Sequence, residues 1–328
     1  MQKVGRILAH VCKDGGAPQA AAFLQSVVDQ LAGGGGGGGG GGDRADQLQV
    51  DVSLHRNQFV LSAAQGGGGV LLRRPAFCPI KHLSVTEAAA VPLDVQRHGV
   101  DVGVAILLQS ANHRVLLTRR AAGLRVFPGV WVPPGGHVEP DETLLAAGLR
   151  ELQEETGLKL EPDDVCPQIL GLWESVYPPM LSRGSPQRHH IVTYMLLHSP
   201  LTHLQLQAAL RPSPAEVSSC LWLDVPLAAA VVSAVDGDDS APITAQDLPT
   251  SLSVSDVGSD GALSVGELPL ATLLSRAPAG GADVERVSTG TKFALELWLD
   301  THTHAHTHAH THTHTHTHSR GDRSSLMK

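Results

Sequence analysis

Apolar and polar positions alternate over residues 47–62 (QLQVDVSLHRNQFVLS), the period of strands with one buried face. From residue 99 the pattern tightens. VDVGVAILLQ (100–109) and RVLLTRR (114–120) predict two strands joined by a turn at Ser110 to His113. FPGVWVPPGGHVEP (127–140) is loop by its glycines and prolines. DETLLAAGLRELQEET (141–156) spaces its leucines as a helix does. ILGLWESVYP, HHIVTYMLLH and EVSSCLWLDV add strands, and PLAAAVVSAV a second helix. The order β-β-loop-α-β-β-β-α predicts an α/β domain, a mixed sheet with helices packed against it.

The outer segments have other textures. Residues 17–32 carry helical periodicity, then ten consecutive glycines follow, Gly33 to Gly42. Such a run loses too much backbone entropy on folding to be ordered, so it reads as a linker. No Gly-Lys-Ser/Thr follows it, which excludes a phosphate loop. Residues 236–262 are acidic, polar and loose, while ELPLATLLSR and TKFALELWL predict short helices that dock back on the body. The Thr-His tract that follows is what an in-frame CA repeat encodes, and the RGD at 320–322 reads as chance. The expected organisation is an N-terminal segment (1–32), a polyglycine linker (33–42) and a small β-rich N-terminal unit (43–96). The main domain (97–235), a helical C-terminal extension (236–300) and a disordered tail (301–328) complete it.

Composition narrows the function classes. The net charge of -8 disfavours a bulk electrostatic grip on nucleic acid, so DNA is not an expected partner and any RNA contact is local. Cys12, Cys78, Cys166 and Cys220 are widely spaced, with no CxxC pair, which points to a reducing compartment. No apolar run approaches the roughly 18 residues of a membrane span. The N-terminus has no secretory cleavage pattern; cytoplasm is the plain reading, with an organellar signal left open.

The chemistry concentrates in RELQEETG (150–157). On a helix, Leu145, Leu149, Leu152 and Thr156 form a core stripe with Gly148 beside them. Glu151, Glu154 and Glu155 are expected together on the opposite, solvent-facing side, flanked by Arg150. Asp141 is expected to cap the N-terminus and Gly157 to end the helix. An ordinary solvated face explains the leucines but not the glutamates, because like charges three and four residues apart cost a few tenths of a kcal/mol, roughly, per pair. A hard divalent cation removes that cost and prefers carboxylate oxygens.

From Gly135 the residues GGHVEPDETLLAAGLRELQEETGL resemble the Nudix box, G-x5-E-x7-R-E-U-x-E-E-x-G-U, at every defined position. Gly136 opens it, Glu142 follows, Arg150, Glu151, Leu152, Glu154 and Glu155 form its core, and Gly157 and Leu158 close it. The resemblance implies a Nudix α/β/α sandwich and metal-assisted hydrolysis of a nucleoside diphosphate linked to another moiety. It implies that Glu151, Glu154 and Glu155, with the Gly136 carbonyl, bind Mg²⁺ or Mn²⁺. It also implies that Arg150 orients a glutamate and that Glu142 supports the arrangement. Glu154 or a loop acid such as Glu216 is the candidate proton acceptor.

Similarity continues in RPAFCP, DVGVAILLQS, LGLWESVYPP, HHIV and RVSTGTKFAL, which look like a vertebrate branch of the family acting on the methylated 5′ cap of mRNA. Capped RNA is therefore the first substrate candidate, with Trp173 and Tyr177 placed to stack on a cationic methylguanine and Glu174 to accept from its edge. The bland alternative is that Trp173 is core and Tyr177 a loop anchor. Coenzyme A is the second candidate. Leu116, Leu117, Thr118, Arg120, Ala121, Arg125, Gly129 and Pro134 to Gly136 resemble the coenzyme A signature, with Pro133 where Phe is expected. Arg120 and Arg125 suit phosphate oxygens in either case. A non-catalytic nucleotide-binding module is the third reading, and the intact box ranks it low.

Overall fold

The computed structural model describes residues 6–13, 15–32, 46–66, 68–238, 240 and 242–311. The polyglycine run and the RGD lie outside the described residues. The chain begins with β1 (Leu8–Cys12), β2 (Gln19–Ala20) and α1 (Val27–Leu31). Next come β3 (Gln47–His55), β4 (Gln58–Ala63) and β5 (Val70–Arg73), then the short helices α2 (Pro79–His82), α3 (Val85–Ala90) and α4 (Leu93–Gln96). The central part holds β6 (Asp101–Gln109), β7 (Val115–Arg120), β8 (Trp131–Val132), β9 (Gly135–His137) and α5 (Leu144–Thr156). β10 (Pro167–Tyr177), β11 (Arg188–His198), α6 (His203–Ala209), β12 (Val217–Leu223) and α7 (Val225–Ser233) follow. The chain closes with β13 (Ser251–Val257), β14 (Leu263–Pro269), α8 (Leu270–Leu273) and α9 (Thr289–Thr311).

These strands join one mixed sheet with β6 at its centre. Every residue of β6 is buried, as expected for a strand covered on both faces. Its alternate side chains sort into two cores. Val102, Val104, Ile106 and Leu108 meet Leu149 and Leu152 of α5, while Ala105 and Leu107 meet Leu227 of α7 and Phe293 and Trp298 of α9. Helices on both faces of the sheet make the α/β/α sandwich. β11 lies parallel to β6 along its whole length, and β10 antiparallel to β11.

The N-terminal residues enter the same sheet. β5 pairs β10, then β3, β4 and β1 follow in order, and β1 returns to β6 at Leu8 and Asp101. The circuit of seven strands is thereby closed. Glu174 fastens it: buried within β10, its carboxylate accepts from the Val27 amide (2.7 Å), the Ser26 hydroxyl (2.7 Å) and the His189 ring (2.9 Å). It thus caps α1, whose own N-cap side chain makes no capping bond to the helix.

Several expectations change here. In residues 17–32 only Val27–Leu31 is helical, because Gln19–Ala20 finds a ladder partner in β1 that local periodicity cannot reveal. The loop 127–140 contains β8 and β9, which take their hydrogen bonds from β7 and β6. Residues 251–269 are not loose or helical but an antiparallel hairpin on the β12 edge, so the C-terminal extension is mixed. SLSVSDV has the period of a strand, and its small serines hid it. The first residues of the Thr-His tract continue α9 to Thr311 rather than leaving it disordered. Among the described residues, no helix is long and apolar enough to cross a membrane.

Candidate active site

The helix α5 is set by its two ends and by one glycine. Thr143, not Asp141, is the N-cap: its hydroxyl accepts from the Ala146 amide at 3.1 Å. Asp141 instead has a positive φ of 69° and donates its amide to Asn57 Oδ1 (2.6 Å) in the β3–β4 turn. Gly157 ends the helix at φ 74° with a Cβ-sized space only 2.7 Å from Arg211 Cβ, so both conformation and contact call for glycine. Gly148 lies so close to β6 that a Cβ would collide with Ile106.

That close docking changes the sorting of the glutamates. Glu154 is 55% exposed and Glu151 15%, whereas Glu155 is buried at 6%. They do not share a solvent-facing side. At 100° per residue Glu155 falls about 20° from Gly148, so it follows the glycine toward the sheet. A Cβ on Gly136 would collide with the Glu151 carboxylate, and one on Gly135 with the backbone of β6. The Gly-Gly pair of β9 is what lets the helix carboxylates approach the sheet.

Arg150 organises this edge. Its Nε and Nη2 donate to Glu142 at 2.7 and 3.0 Å, and Nη2 also to the His137 carbonyl at 3.0 Å. Nη1 donates to Glu151 (2.9 Å) and Glu154 (3.1 Å). Hydrogen bonds from Arg150 hold the Glu142 carboxyl below its ordinary value. Burial pushes Glu151 up, against the pull of Arg150. Burial, with Glu151 and Glu216 nearby and Arg120 only partly offsetting them, pushes Glu155 up to about 8. Glu216 comes to this group from the loop before β12, where its carbonyl accepts from the Ala121 amide at 2.8 Å.

Beside β9 opens a cavity of about 440 Å³. Gly135, Gly136 and His137 form part of its wall, so the carboxylate edge and the cavity meet at these residues. Arg6, Arg120, Arg125, Arg188 and Arg286 line it, and no carboxylate among the described residues does. In a protein of net charge -8, this concentrates positive charge where an anion enters. Arg120 donates to the Val126 carbonyl (3.1 Å) and feels Glu155, Glu216 and Glu151. Arg119 points elsewhere, to Ser218 (2.8 Å) and Glu285 (3.1 Å).

The expected aromatic contacts are partly brought together. Trp173 lines the cavity, buried and tilted 34° on Phe293 at 5.3 Å. Tyr177 does not line it; its ring packs edge-on at 5.0 Å behind Phe127, which does. Glu174 is not available to a guanine edge, being fully committed to α1 and His189. Sequence reading missed Phe127, Arg6, Arg188, His190, Tyr194 and the start of α9 at Ser288 to Gly290, all in the lining. Arg188 precedes and His190 belongs to the HHIV stretch already singled out, and Phe127 sits in the Gly-Pro loop. Arg6 has no local signal.

Among the described residues, one trio of potential metal ligands brings its atoms within 4.8 Å of one another: Asp101, His137 and His190. The box glutamates stand further apart.

The NUDIX domain model matches residues 98–243. The chain is 58% identical over 301 residues to the m7GpppN-mRNA hydrolase NUDT17 of Danio rerio, covering 92% of this chain and 97% of that one. With the family model and a relative of this identity and coverage, the chain belongs to the Nudix hydrolase family. It is 48% identical over 303 residues to the same-named protein of Xenopus laevis (92% and 97% covered) and 48% over 256 residues to that of Homo sapiens (76% and 77%).

Proposed function

We propose that this chain is a divalent-metal-dependent pyrophosphohydrolase that cleaves the methylated 5′ cap of mRNA and releases methylguanosine diphosphate. The observation that carries it is the meeting, at Gly135 and Gly136, of the carboxylate edge with a cavity lined by five arginines. The cap as substrate is supported by the m7GpppN-mRNA hydrolase names of full-length relatives.

The donor set fits Mg²⁺ or Mn²⁺. Glu155 is a buried carboxylate beside Glu151 and Glu216, offset only in part by Arg120 and the Gly135 amide, and a hard cation suits such a group. Glu151, Glu154 and Glu155 with the Gly136 carbonyl would hold it. When bound, the ion supplies charge neutralisation at the diphosphate and lowers the pKa of the attacking water. Arg150 keeps Glu151 and Glu154 oriented, itself fixed by Glu142. Arg120 and Arg125 face the phosphate oxygens and stabilise the charge that develops on them. Glu154, the exposed member, and Glu216 are the groups able to take the proton of the attacking water. Trp173 and Phe127 offer faces to the methylguanine, with Tyr177 supporting Phe127. The catalytic unit is residues 97–235, and its cavity is walled from both flanks, by Phe77 on one side and by Ser288 to Gly290 on the other.

The test is a hydrolysis panel with Mn²⁺ in which capped RNA, coenzyme A, ADP-ribose and dinucleoside polyphosphates are compared side by side. Capped RNA is expected to give the highest kcat/KM, with methylguanosine diphosphate as product. Preferred cleavage of coenzyme A would replace this reading, and turnover of none with metal bound would make the chain a binding module.

A further inference from the structure

At the β11 wall of the cavity, two arginines meet around one carboxylate. Asp101, 2% exposed, accepts from Arg6 Nη1 at 2.9 Å through Oδ2. Arg188 Nη1 and His190 Nε2 stand 3.8 Å from the same oxygen, and His137 Nε2 3.9 Å. Two guanidiniums against one carboxylate leave one positive charge in surplus. Among the described residues, Arg188 Nη1 and His137 Nε2 are buried without a hydrogen-bond partner, as is Asp101 Oδ1. Two of those three atoms can donate, and unpaired buried donors are costly unless something completes them. Both arginines and both histidines line the cavity whereas Asp101 does not, so the carboxylate stands behind the donors.

The same trio of Asp101, His137 and His190 has the spacing of cation ligands. Its carboxylate is, however, already matched by Arg6 and faced by Arg188, and a dication there would sit against both guanidiniums. An anion meets the opposite balance.

Position indicates which anion. His190 pairs Asp101 across β11 and β6, and β6 pairs β9 through Gly103 and His137. Opposite Gly136, which pairs Val104, β11 presents Thr193 two strand spacings away, about 10 Å, and Arg188 lies five residues further along β11, roughly 16 Å more by the strand rise. Phosphates that share a bridging oxygen lie closer together than one such spacing. A group held at Arg188 is therefore separated from the cleaved diphosphate by more of the substrate.

We propose that Arg6 and Arg188 form a second phosphate subsite that holds a phosphodiester of the RNA chain, so that the RNA body is recognised together with the cap. This rests on the decapping reading for its substrate class. It also gives the N-terminal segment a task, because Arg6 lies outside the residues 98–243 that match the family model and reaches the cavity only through the pairing of β1 with β6. Arg6 and Arg188 are positioning residues for the substrate, not catalytic ones.

The experiment pairs binding with turnover on the full chain. Binding uses an uncapped, 3′-labelled oligoribonucleotide followed by fluorescence anisotropy; turnover compares a capped oligoribonucleotide with the capped dinucleotide, which has no RNA-side phosphodiester beyond it. Arg6→Ala and Arg188→Ala are each expected to weaken oligoribonucleotide binding about 5-fold or more. The salt slope should flatten by about 0.7 per lost contact. They should raise KM for the capped oligoribonucleotide about 10-fold, leaving kcat, and KM for the dinucleotide, within about 2-fold. Arg188→Lys should recover part of the loss, and melting curves exclude misfolding. Unchanged binding and KM, or equal losses on both capped substrates, overturn the subsite. So does stoichiometric Mn²⁺ or Zn²⁺ bound by a Glu155→Gln chain and lost on adding His190→Ala, with RNA binding unaffected. If the wild type binds RNA through these arginines but cleaves neither capped substrate, the subsite stands and the decapping reading falls.

Discussion

Arg150 and Glu142 are joined by two parallel hydrogen bonds, Nε to Oε1 at 2.7 Å and Nη2 to Oε2 at 3.0 Å. This fork fixes the plane of the guanidinium, and the remaining Nη1 then holds Glu151 and Glu154 in place. Lysine has one nitrogen and cannot make both sets of contacts. Arg150→Lys should therefore lower kcat by about 10- to 100-fold, the range for residues that orient metal-binding groups, with little change in fold. Glu142→Gln should fall in the same direction but less far, since the amide still accepts one bond. Steady-state kinetics with saturating Mn²⁺, alongside melting curves, measures both.

Glu155 carries a prediction that pulls activity and stability apart. Its carboxylate is buried beside two other acids and is pushed up to about 8. Glu155→Gln should cut turnover by about 10²- to 10³-fold, the cost of removing one charge-stabilising group. The same variant should melt at a higher temperature than wild type in EDTA at pH 8, because it removes first the desolvation cost of a buried charge and then its repulsion from Glu151 and Glu216. A lower melting temperature in EDTA would show that the carboxylate is compensated by something other than a cation.

His190 gives the protein a pH dependence below neutrality. Burial first, then His137, His189, Arg188 and Arg6, lower its pKa to about 3. Between that value and the ordinary histidine range near 6.5 the unfolded chain binds a proton that the folded one refuses. Its contribution to stability is thus present above about pH 6.5 and is lost as pH falls from there toward 3. His190→Gln should flatten this part of the stability curve, read by urea denaturation at pH 7.5, 6 and 5. An unchanged slope would mean that other groups carry it.

Phe127 and Tyr177 separate contact from support. Phe127 lines the cavity and Tyr177 packs behind it at 5.0 Å. Phe127→Ala should raise KM for capped substrates by about 10-fold, in keeping with base stacking worth roughly 1–3 kcal/mol. Tyr177→Ala should raise it less. A larger effect at Tyr177 would place the base on that ring instead.

Much of this was legible in the chain. The leucine stripe and Gly148 predict the buried face of α5, and the apolar run of β6 predicts a central strand. Glu155 was mis-sorted because glutamates read as a class hide the angle of each, and Gly148 pulls that side of the helix inward. β1 was invisible since its partners, β4 and β6, lie some fifty and ninety residues away in sequence. The β13–β14 hairpin was masked by serines and by an acidic approach. Phe127, with its positive φ of 49°, lies in a loop whose shape comes from Gly129 and the β8 pairing rather than from periodicity. The missed arginines share one cause: strand ends distant in sequence meet only when the sheet closes.

The central claim is that α5 and the arginine-lined cavity together hydrolyse capped RNA. Its most direct measurement is the product released from cap-labelled RNA in Mn²⁺ by wild type and by Glu155→Gln. The account predicts methylguanosine diphosphate from the wild type and almost none from the variant, with both chains folded. Equal release by both, or no release by a metal-loaded wild type, would contradict it.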